Sequence, residues 1–151
     1  MSADADAVDP LALSNQLCFS VYSTAHAFTR LYAGLLRRLD VTYTQYLVLL
    51  VLWEREGLTV KEIGERLTLD SGTLTPLLRR LEQSGYVRRE RDGADQRRVH
   101  VYLTSQGHDA RPDVERVREV VFGATGMSQE ELRTLQGRLE RLRAALEGAA
   151  P

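Results

Sequence analysis

The chain has 151 residues, of which 20 are basic and 21 acidic, so its net charge is close to zero. This length suits one domain with a single core, and any surface for nucleic acid must come from local clustering of charge. One cysteine excludes an internal disulfide, and the scattered histidines His26, His100 and His108 show no metal-ligand spacing, so we expect no metal and no cofactor.

The amino-terminal segment is polar and acidic. Residues 1–10, MSADADAVDP, predict a disordered tail that ends at Pro10. A secretory signal would begin basic and then turn apolar, and no run in the chain approaches the ~18 apolar residues of a membrane span. We therefore expect a cytoplasmic protein with no membrane partner.

A long amino-terminal helix is predicted over residues 11–39. Apolar residues recur with near-helical spacing between Leu17 and Leu39, and Gly34 is the only helix-weakening residue in this stretch. The helix carries the single cysteine, Cys18, in the sequence LCFSVY. Considered alone, a lone cysteine in apolar surroundings is most often a buried and inert residue.

Residues 40–104 predict a winged helix-turn-helix. Capping boxes open two helices, one at Thr42 with Gln45 and one at Thr59 with Glu62, and a third helix follows a turn rich in cap-forming residues. The alternating segments YVRRER and RVHVYL then flank the turn DGADQR, which is typical of a β-hairpin. Two short helices, a tight turn and a hairpin make up a winged helix-turn-helix.

Two prolines interrupt predicted helices. Pro76 occupies the sixth position of a helix capped by Asp70, so we expect that helix to begin nearer Thr73 or to bend. Pro112 is expected to kink or restart the helix predicted over residues 104–125.

Residues 105–151 predict carboxy-terminal helices that serve dimerisation. The last helix, opened by a capping box at Ser128 and Glu131, carries leucines at alternating steps of three and four. These leucines are Leu132, Leu135, Leu139, Leu142 and Leu146. A seam this narrow fits a partner helix, although packing within the same chain is an alternative. Because the long first helix also needs cover, we expect a homodimer.

The recognition surface for double-stranded DNA is predicted at the second helix of the helix-turn-helix and at the hairpin. The segment DSGTLT presents hydroxyl groups and backbone amides suited to phosphates and base edges. Several arginines lie in the hairpin, and a narrow minor groove of DNA attracts their guanidinium groups. A simpler interpretation is that these hydroxyl groups and arginines form a solvated polar face, but the wing after the helix-turn-helix favours DNA binding.

These segments resemble the MarR family of dimeric winged-helix repressors. The hairpin sequence DQRRVHVYLT, residues 95–104, matches the family signature D-x-R-x-x-x-(V/L)-x-L-T. The segments NQLCF, TYTQYLVLLVLWE and LDSGTLTPLLRRLEQSG are similar to the organic hydroperoxide resistance regulators, the OhrR branch. The resemblance implies a mainly α fold with a small β-hairpin, in a MarR-like dimer held by its N- and C-terminal helices.

In the OhrR branch an amino-terminal cysteine senses peroxide, and tyrosines hydrogen-bond to its sulfur. The resemblance implies that Cys18 is the redox sensor, with Tyr22, Tyr32 and Tyr43 as its hydrogen-bond partners. Helical geometry puts Tyr22 one turn from Cys18, whereas Tyr32 lies about 21 Å from Cys18 along the helix axis. If Tyr32 and Tyr43 reach a sulfur, it is therefore that of the partner subunit.

The same resemblance implies a set of DNA contacts. Arg97 would enter the minor groove with Asp95 orienting it. The residues expected to face the major groove are Ser71, Thr73, Thr75 and Arg79.

We therefore predict a peroxide-sensing repressor rather than an enzyme. It binds operator DNA as a homodimer while Cys18 is reduced and is released when organic hydroperoxide oxidises Cys18. The chain has no second, resolving cysteine, so the sulfenic acid has three fates: a mixed disulfide with a low-molecular-weight thiol, over-oxidation, or an intersubunit disulfide. Two alternatives stay open: a MarR repressor released by a small phenolic ligand, with Cys18 incidental, and a one-cysteine peroxidase.

Overall fold

The computed structural model describes residues 9–150, which form seven α-helices and three short β-strands. The chain divides into two compact units, the first ending at Val114 and the second beginning at Glu115. The helices are α1 Leu17–Leu36, α2 Tyr43–Glu54, α3 Val60–Leu67, α4 Ser71–Gln83, α5 Ser105–Asp109, α6 Arg111–Ala124 and α7 Gln129–Ala149. The strands are β1 Leu58–Thr59, β2 Val87–Arg91 and β3 Val99–Leu103. This architecture confirms the predicted winged helix-turn-helix fold class, mainly α with a small hairpin.

The first helix is shorter than the single helix predicted over residues 11–39. Short 3-10 turns, Leu13–Asn15 and Arg37–Leu39, flank α1 at its two ends. Gln16 has extended backbone angles and separates the first turn from α1, while Asp40 adopts a left-handed conformation, φ 51°, and ends the segment. Aspartate favours caps and turns over the interior of a helix, which fits the end of the segment at Asp40.

Part of the predicted tail is held by side-chain hydrogen bonds. Residues 1–8 lie outside the described residues, so the structure describes only the last two positions of the predicted segment 1–10. The side-chain amide of Asn15 donates to the carbonyl of Asp9, and that of Gln16 donates to the carbonyl of Pro10, each at 2.7 Å. Such local bonds compete with continuation of the helix and explain why α1 begins only at Leu17.

Helix α2 forms the centre of the first unit. It begins at the predicted capping box, in which Gln45 N–H donates to the Thr42 hydroxyl and the Gln45 side chain accepts from Thr42 N–H. Apolar residues are buried around much of its circumference, because the other elements of the unit pack against it. Trp53 donates its indole N–H to the carbonyl of Gly107 at 3.0 Å and so connects α2 to α5.

The helix-turn-helix consists of α3 and α4. The capping box at Thr59 and Glu62 opens α3 as predicted, with Thr59 N–H donating to the Glu62 carboxylate at 2.7 Å. The backbone turns sharply after α3, since Thr68 is left-handed at φ 56°. The turn passes so close to α3 that a Cβ on Gly64 would lie 2.6 Å from the carbonyl oxygen of Leu69. Glycine is therefore required where the two helices meet.

Helix α4 does not start nearer Thr73, as the proline suggested. Asp70 accepts the backbone N–H of Thr73 at 2.8 Å and its hydroxyl at 2.9 Å, and this cap begins the helix at Ser71. Pro76 lies inside the helix on its exposed face, where it removes the backbone donor that would bind the Gly72 carbonyl. The cap on Asp70 satisfies an N-terminal N–H that otherwise lacks a helical partner, which favours initiation at Ser71.

The sheet has three antiparallel strands in the order β1–β3–β2. The predicted hairpin is present, with Val87 opposite Leu103 at the end of β2–β3 furthest from the loop. Strand β1, which has only two residues, pairs Leu58 with Val101 on the other edge of β3. The sequence reading does not include this third strand, because two residues carry no alternation pattern.

Helix α6 restarts the chain after α5, as the position of Pro112 predicted. Ala110 separates the two helices, and Pro112 occupies the second position of α6. Backbone N–H groups in the first turn have no partner within a helix, so proline is tolerated there. The capping box at Ser128 and Glu131 then opens α7.

Helices α1 and α7 expose apolar side chains that elsewhere in the protein are buried. On α7 the leucine seam is accessible, with Leu135 41%, Leu139 43% and Leu146 63% exposed. On α1 nearly every residue before Tyr32 is exposed, including Phe19 and Phe28. Contiguous apolar faces of this kind are typical of interaction surfaces. None of the helices within residues 9–150 is both long and apolar enough to cross a membrane.

Candidate redox and DNA-binding sites

Cys18 lies exposed in the first turn of α1. Tyr22 is four residues further along the same face, and its ring contacts those of Phe19 and His26, with centroids 6.4 and 4.4 Å apart. No hydrogen bond to the Cys18 thiol is formed within residues 9–150 of the single chain. The thiol therefore lies beside an exposed group of aromatic rings, where reagents and a second subunit have access to it.

Tyr32, Tyr43 and Tyr46 form a separate cluster where α1 meets α2. The Tyr32 ring lies 4.9 Å from both other rings, and its hydroxyl is 3.5 Å from the Tyr46 hydroxyl. Burial, and then the neighbouring Tyr32 phenol, raise the pKa of Tyr43. A raised pKa keeps the Tyr43 phenol protonated at physiological pH, so its hydroxyl can donate a hydrogen bond. We refer to the three residues as the phenol cluster.

The structure separates the four predicted sensor residues into two pairs. Tyr32 and Tyr43 belong to the phenol cluster, whereas Cys18 and Tyr22 lie toward the start of α1. Fourteen residues of helix correspond to about 21 Å between Cys18 and Tyr32. The sequence reading omits Tyr46, although it lies three residues after Tyr43 and so on the same face of α2.

Three of the six predicted recognition residues line a groove between the helix-turn-helix and the hairpin. This groove has a volume of about 610 Å³, and Ser71, Thr75 and Arg97 line it together with Lys61 and Arg98. The groove thus combines hydroxyl groups from α4 with cations from α3 and the hairpin, and the carboxylates of Glu62 and Glu65 on α3 also line it. Hydroxyl groups and cations of this kind bind phosphates and base edges.

The other two predicted residues of α4 have different surroundings. Thr73 is exposed, but both its backbone N–H and its hydroxyl donate to Asp70, so its side chain participates in the cap. Arg79 is exposed two turns further along α4. The helix therefore presents Ser71, Thr75 and Arg79 to solvent.

The loop between β2 and β3, residues 92–98, is called the wing loop below. Its two predicted residues are in contact, because the Asp95 carboxylate accepts the backbone N–H of Arg97 at 3.0 Å. Asp95 thus fixes the backbone of Arg97, and the guanidinium extends from that position. The Asp92 carboxylate accepts the backbone N–H of Ala94 at 2.8 Å and holds the start of the loop.

His100 and Asp92 form a contact that the sequence reading missed. The His100 ring lies between the carbonyl of Gly57, 2.9 Å from Nδ1, and the carboxylate of Asp92, 3.3 Å from Nε2. One sequence signal could have predicted this contact: the two residues are eight positions apart across a hairpin. Once the register of the strands is known, that spacing brings their side chains together. Among residues 9–150, no group of three or more potential metal ligands lies together.

Comparison with known proteins identifies the family. A model described as MarR family matches residues 41–99. Over 142 residues the chain is 54% identical to the HTH-type transcriptional regulator TtmR of Methylorubrum extorquens (strain PA1), which covers 94% of this chain and 73% of that protein. The chain belongs to the MarR family.

This MarR-family chain is also 44% identical, over 134 residues, to the organic hydroperoxide resistance transcriptional regulator of Bacillus subtilis (strain 168). That match covers 89% of this chain and 91% of the relative. The predicted resemblance to the MarR family and its hydroperoxide branch is confirmed. The protein is a MarR-type transcriptional regulator, and these relatives are regulators rather than enzymes.

Solved structures of AbfR are similar to this MarR-family chain. AbfR of Staphylococcus epidermidis is 38% identical with a TM-score of 0.75, covering 91% of this chain and 94% of that chain. Reduced AbfR bound to DNA is 42% identical with a TM-score of 0.73, covering 89% and 93%. Overoxidized AbfR bound to DNA is 41% identical with a TM-score of 0.73, covering 89% and 94%.

Proposed function

We propose that this regulator is a repressor that binds operator DNA as a homodimer while Cys18 is reduced and is released when an organic hydroperoxide oxidises Cys18. The observation that carries the proposal is the exposure of Cys18 in α1. Structural free cysteines are typically buried, whereas redox-active cysteines are accessible to their oxidant. The identity to a hydroperoxide resistance regulator supports the same reading.

Binding to DNA follows from the groove beside α4. Hydroxyl groups of Ser71 and Thr75 suit the major groove, and Arg97 on the wing loop suits the minor groove. AbfR, which is similar over most of the chain, has a solved structure in which its reduced form is bound to DNA. The groove is the surface of this chain whose hydroxyl groups and cations suit contacts with DNA.

Homodimer formation explains both the exposed helices and the separation of the sensor residues. A second subunit would cover the apolar faces of α1 and α7, which are exposed in one chain. It would also bring the phenol cluster of one subunit to Cys18 of the other. Phenolic O–H groups stabilise a thiolate by hydrogen bonding, and the thiolate is the form that attacks peroxide.

The chemistry of sensing consists of two balanced steps. The thiolate of Cys18 attacks the peroxide ROOH, the O–O bond breaks, and after proton transfer the products are a sulfenic acid and the alcohol ROH. A low-molecular-weight thiol then displaces hydroxide from the sulfenic acid, giving a mixed disulfide and water. The organic group of this adduct occupies space at the start of α1, where the second subunit would pack.

The mixed disulfide is the form that we expect to release DNA. Overoxidized AbfR has been crystallised on DNA, so in that relative over-oxidation is compatible with the complex. A bulky adduct perturbs packing between subunits more than added oxygen atoms do. Near-complete release requires the modified form to disfavour the DNA-bound state by about 5.5 kcal/mol.

Cys18→Ser tests the sensor role. The variant should bind DNA with the affinity of the reduced wild type and should lose its response to hydroperoxide, because serine lacks the nucleophilic sulfur. Gel-shift titration with and without cumene hydroperoxide, paired with intact mass, measures both properties. A variant that still leaves DNA on treatment would indicate a ligand-gated repressor in which Cys18 is incidental.

The aromatic and apolar surroundings of Cys18 predict a preference among oxidants. Alkyl or aryl hydroperoxides should release DNA at lower doses than hydrogen peroxide, because their organic groups contact Phe19 and Tyr22. Dose series of the two oxidants on the same wild-type complex provide the measurement. Equal sensitivity would argue against an apolar binding site for the peroxide.

A further inference from the structure

His100 bridges the sheet and the wing loop. It lies in β3, and its Nδ1 faces the carbonyl oxygen of Gly57, which precedes β1. Its Nε2 faces Oδ2 of Asp92, which directly follows β2. The side chains of His100 and Asp92 are 23% and 28% exposed, so solvent only partly screens their interaction. Each ring nitrogen is thus directed at an oxygen acceptor.

Only the protonated ring satisfies both acceptors. A neutral imidazole has one N–H donor and one lone pair, whereas the imidazolium donates from both nitrogens. The Gly57 carbonyl, and then the Asp92 carboxylate, raise the pKa of His100, against the smaller opposing effects of burial and Arg98. The backbone N–H of Ala94, and then the His100 ring, hold the pKa of Asp92 below its usual value.

The other charged groups near His100 come from the elements packed around it. They are Asp92 and Arg98 in the wing loop and Glu90 on β2, and Arg98 in turn interacts with Glu62 on α3. Glu90 lies opposite His100 in the register, but its carboxylate pairs with Arg88. On β1 the opposite residue is the uncharged Thr59. Asp92 is therefore the carboxylate that pairs with the His100 ring.

The Asp92 carboxylate also organises the wing loop. Its Oδ1 accepts the backbone N–H groups of Ala94 at 2.8 Å and Asp95 at 3.4 Å. Asp95 accepts the backbone N–H of Arg97, as described above. A path of hydrogen bonds therefore runs from the sheet, through His100 and Asp92, to the backbone that carries Arg97.

We propose that His100 and Asp92 are positioning residues for the wing, and that protonated His100 fixes the wing loop in the shape that presents Arg97 to DNA. The proposal rests on the DNA binding proposed above. Because the folded state raises the pKa of His100 above its ordinary value of about 6.5, the contribution is complete below about pH 6.5. It is lost as the pH rises through the raised folded value, so affinity for DNA should fall over that range.

Filter binding at constant ionic strength tests the effect on affinity. The probe is the duplex of about 30 base pairs, long enough for two half-sites, that the reduced protein retains most tightly from a random library. Wild type should bind it about five- to tenfold more tightly near pH 6 than near pH 8.5, the effect of one weakened charge-assisted hydrogen bond. His100→Gln should lose most of this pH dependence, and a variant as pH-dependent as wild type would overturn the proposal.

His108→Gln is the matched control. His108 also pairs with a carboxylate, that of Glu56 at 2.8 Å, but it lies in α5, outside the wing loop. The His108→Gln variant should retain the wild-type pH dependence of DNA affinity. Loss of the pH dependence in His108→Gln as well would overturn the assignment to His100.

Asp92→Asn tests the same bridge without removing the histidine. The new amide accepts from Ala94 through its oxygen and donates through its nitrogen to the neutral imidazole. The wing loop then stays bridged without protonation, so the affinity should become nearly independent of pH. A pH dependence equal to that of wild type in this variant would contradict the proposed role of the Asp92 charge.

A measurement without DNA separates this proposal from the proposed function. In NMR titrations of the free protein, the amide signals of Ala94 and Asp95 should shift with the same midpoint as the His100 ring. Independent midpoints would overturn the proposed coupling, even in a protein that binds DNA. Coupled amides in a wild-type protein that binds no duplex at any pH would instead refute DNA binding, and the affinity claim with it.

Discussion

The buried hydroxyl of Tyr86 shows how a single side chain connects elements of the first unit, which contains the winged helix-turn-helix. Tyr86 is 5% exposed, and its hydroxyl donates to the carbonyl of Leu39 at 2.6 Å, joining the hairpin to the segment after α1. Tyr86→Phe would leave that carbonyl without this donor. We expect the free energy of unfolding to fall by about 1–2 kcal/mol, measured by urea denaturation.

Tyr22→Phe is the control for this prediction. Tyr22 is 61% exposed in one chain, so its hydroxyl contributes little to the folding of the subunit itself. The free energy of unfolding should change by less than about 0.5 kcal/mol. Equal losses in the two variants would show that the Leu39 bond does not contribute to stability.

At this scale, the sequence predicted contacts within one turn of a helix but not contacts between elements. The capping residue pairs could be predicted because both partners lie three positions apart on one turn of helix. The contact between His100 and Asp92 could not, since it requires the register of β2 and β3. The phenol cluster likewise depends on how α1 packs on α2, for which the sequence has no local pattern.

Among the elements, α4 contains the clearest conflict between sequence and structure. Proline inside a helix removes a hydrogen bond and crowds the preceding turn, yet the helix continues through Pro76. Pro76→Ala restores the donor for the Gly72 carbonyl. We expect it to raise the free energy of unfolding by about 1–2 kcal/mol, measured by chemical denaturation, after allowance for the greater freedom of the unfolded chain.

Pro112→Ala provides the matched control for α4. Pro112 is in the first turn of α6, where a backbone N–H has no partner within the helix. Its replacement should change the free energy of unfolding by less than about 0.5 kcal/mol. If both proline variants were equally stabilised, the missing bond inside α4 would not be the cause.

The elements show where sequence patterns are sufficient and where they fail. Helices α2, α3 and α7 begin at the predicted capping boxes, because their start signals are local. The predicted first helix is too long, because periodic apolar residues do not reveal the side-chain bonds of Asn15 and Gln16. The two residues of β1 are recognisable only by their pairing with β3, which lies about forty positions later in the chain.

For the whole molecule, the main prediction concerns the exposed leucine seam of α7. A second subunit that covers this seam would be opposed by a charge at its centre, because burying an unpaired carboxylate is costly. Leu139→Glu should therefore produce monomers at concentrations where the wild type is dimeric, and its DNA affinity should fall at least about tenfold. Sedimentation equilibrium and gel-shift titration measure the two effects.

Ala144→Glu controls for the added charge. Ala144 is exposed on α7, and five residues of helix rotate it well away from the Leu139 position. This variant should remain dimeric and bind DNA as the wild type does. A monomeric Leu139→Glu protein with full DNA affinity would refute the homodimer as the binding species.

Trp53 has a practical consequence for studying the intact protein. It is the only tryptophan in the chain, and its indole is hydrogen-bonded to the Gly107 carbonyl between α2 and α5. Intrinsic fluorescence therefore reports on one location, and its emission should shift to longer wavelength when α5 separates from α2 and water reaches the ring. Because Cys18 lies near the opposite end of α1 from the segment that contacts α2, this unlabelled optical signal distinguishes melting of the DNA-binding unit from chemical modification of the thiol.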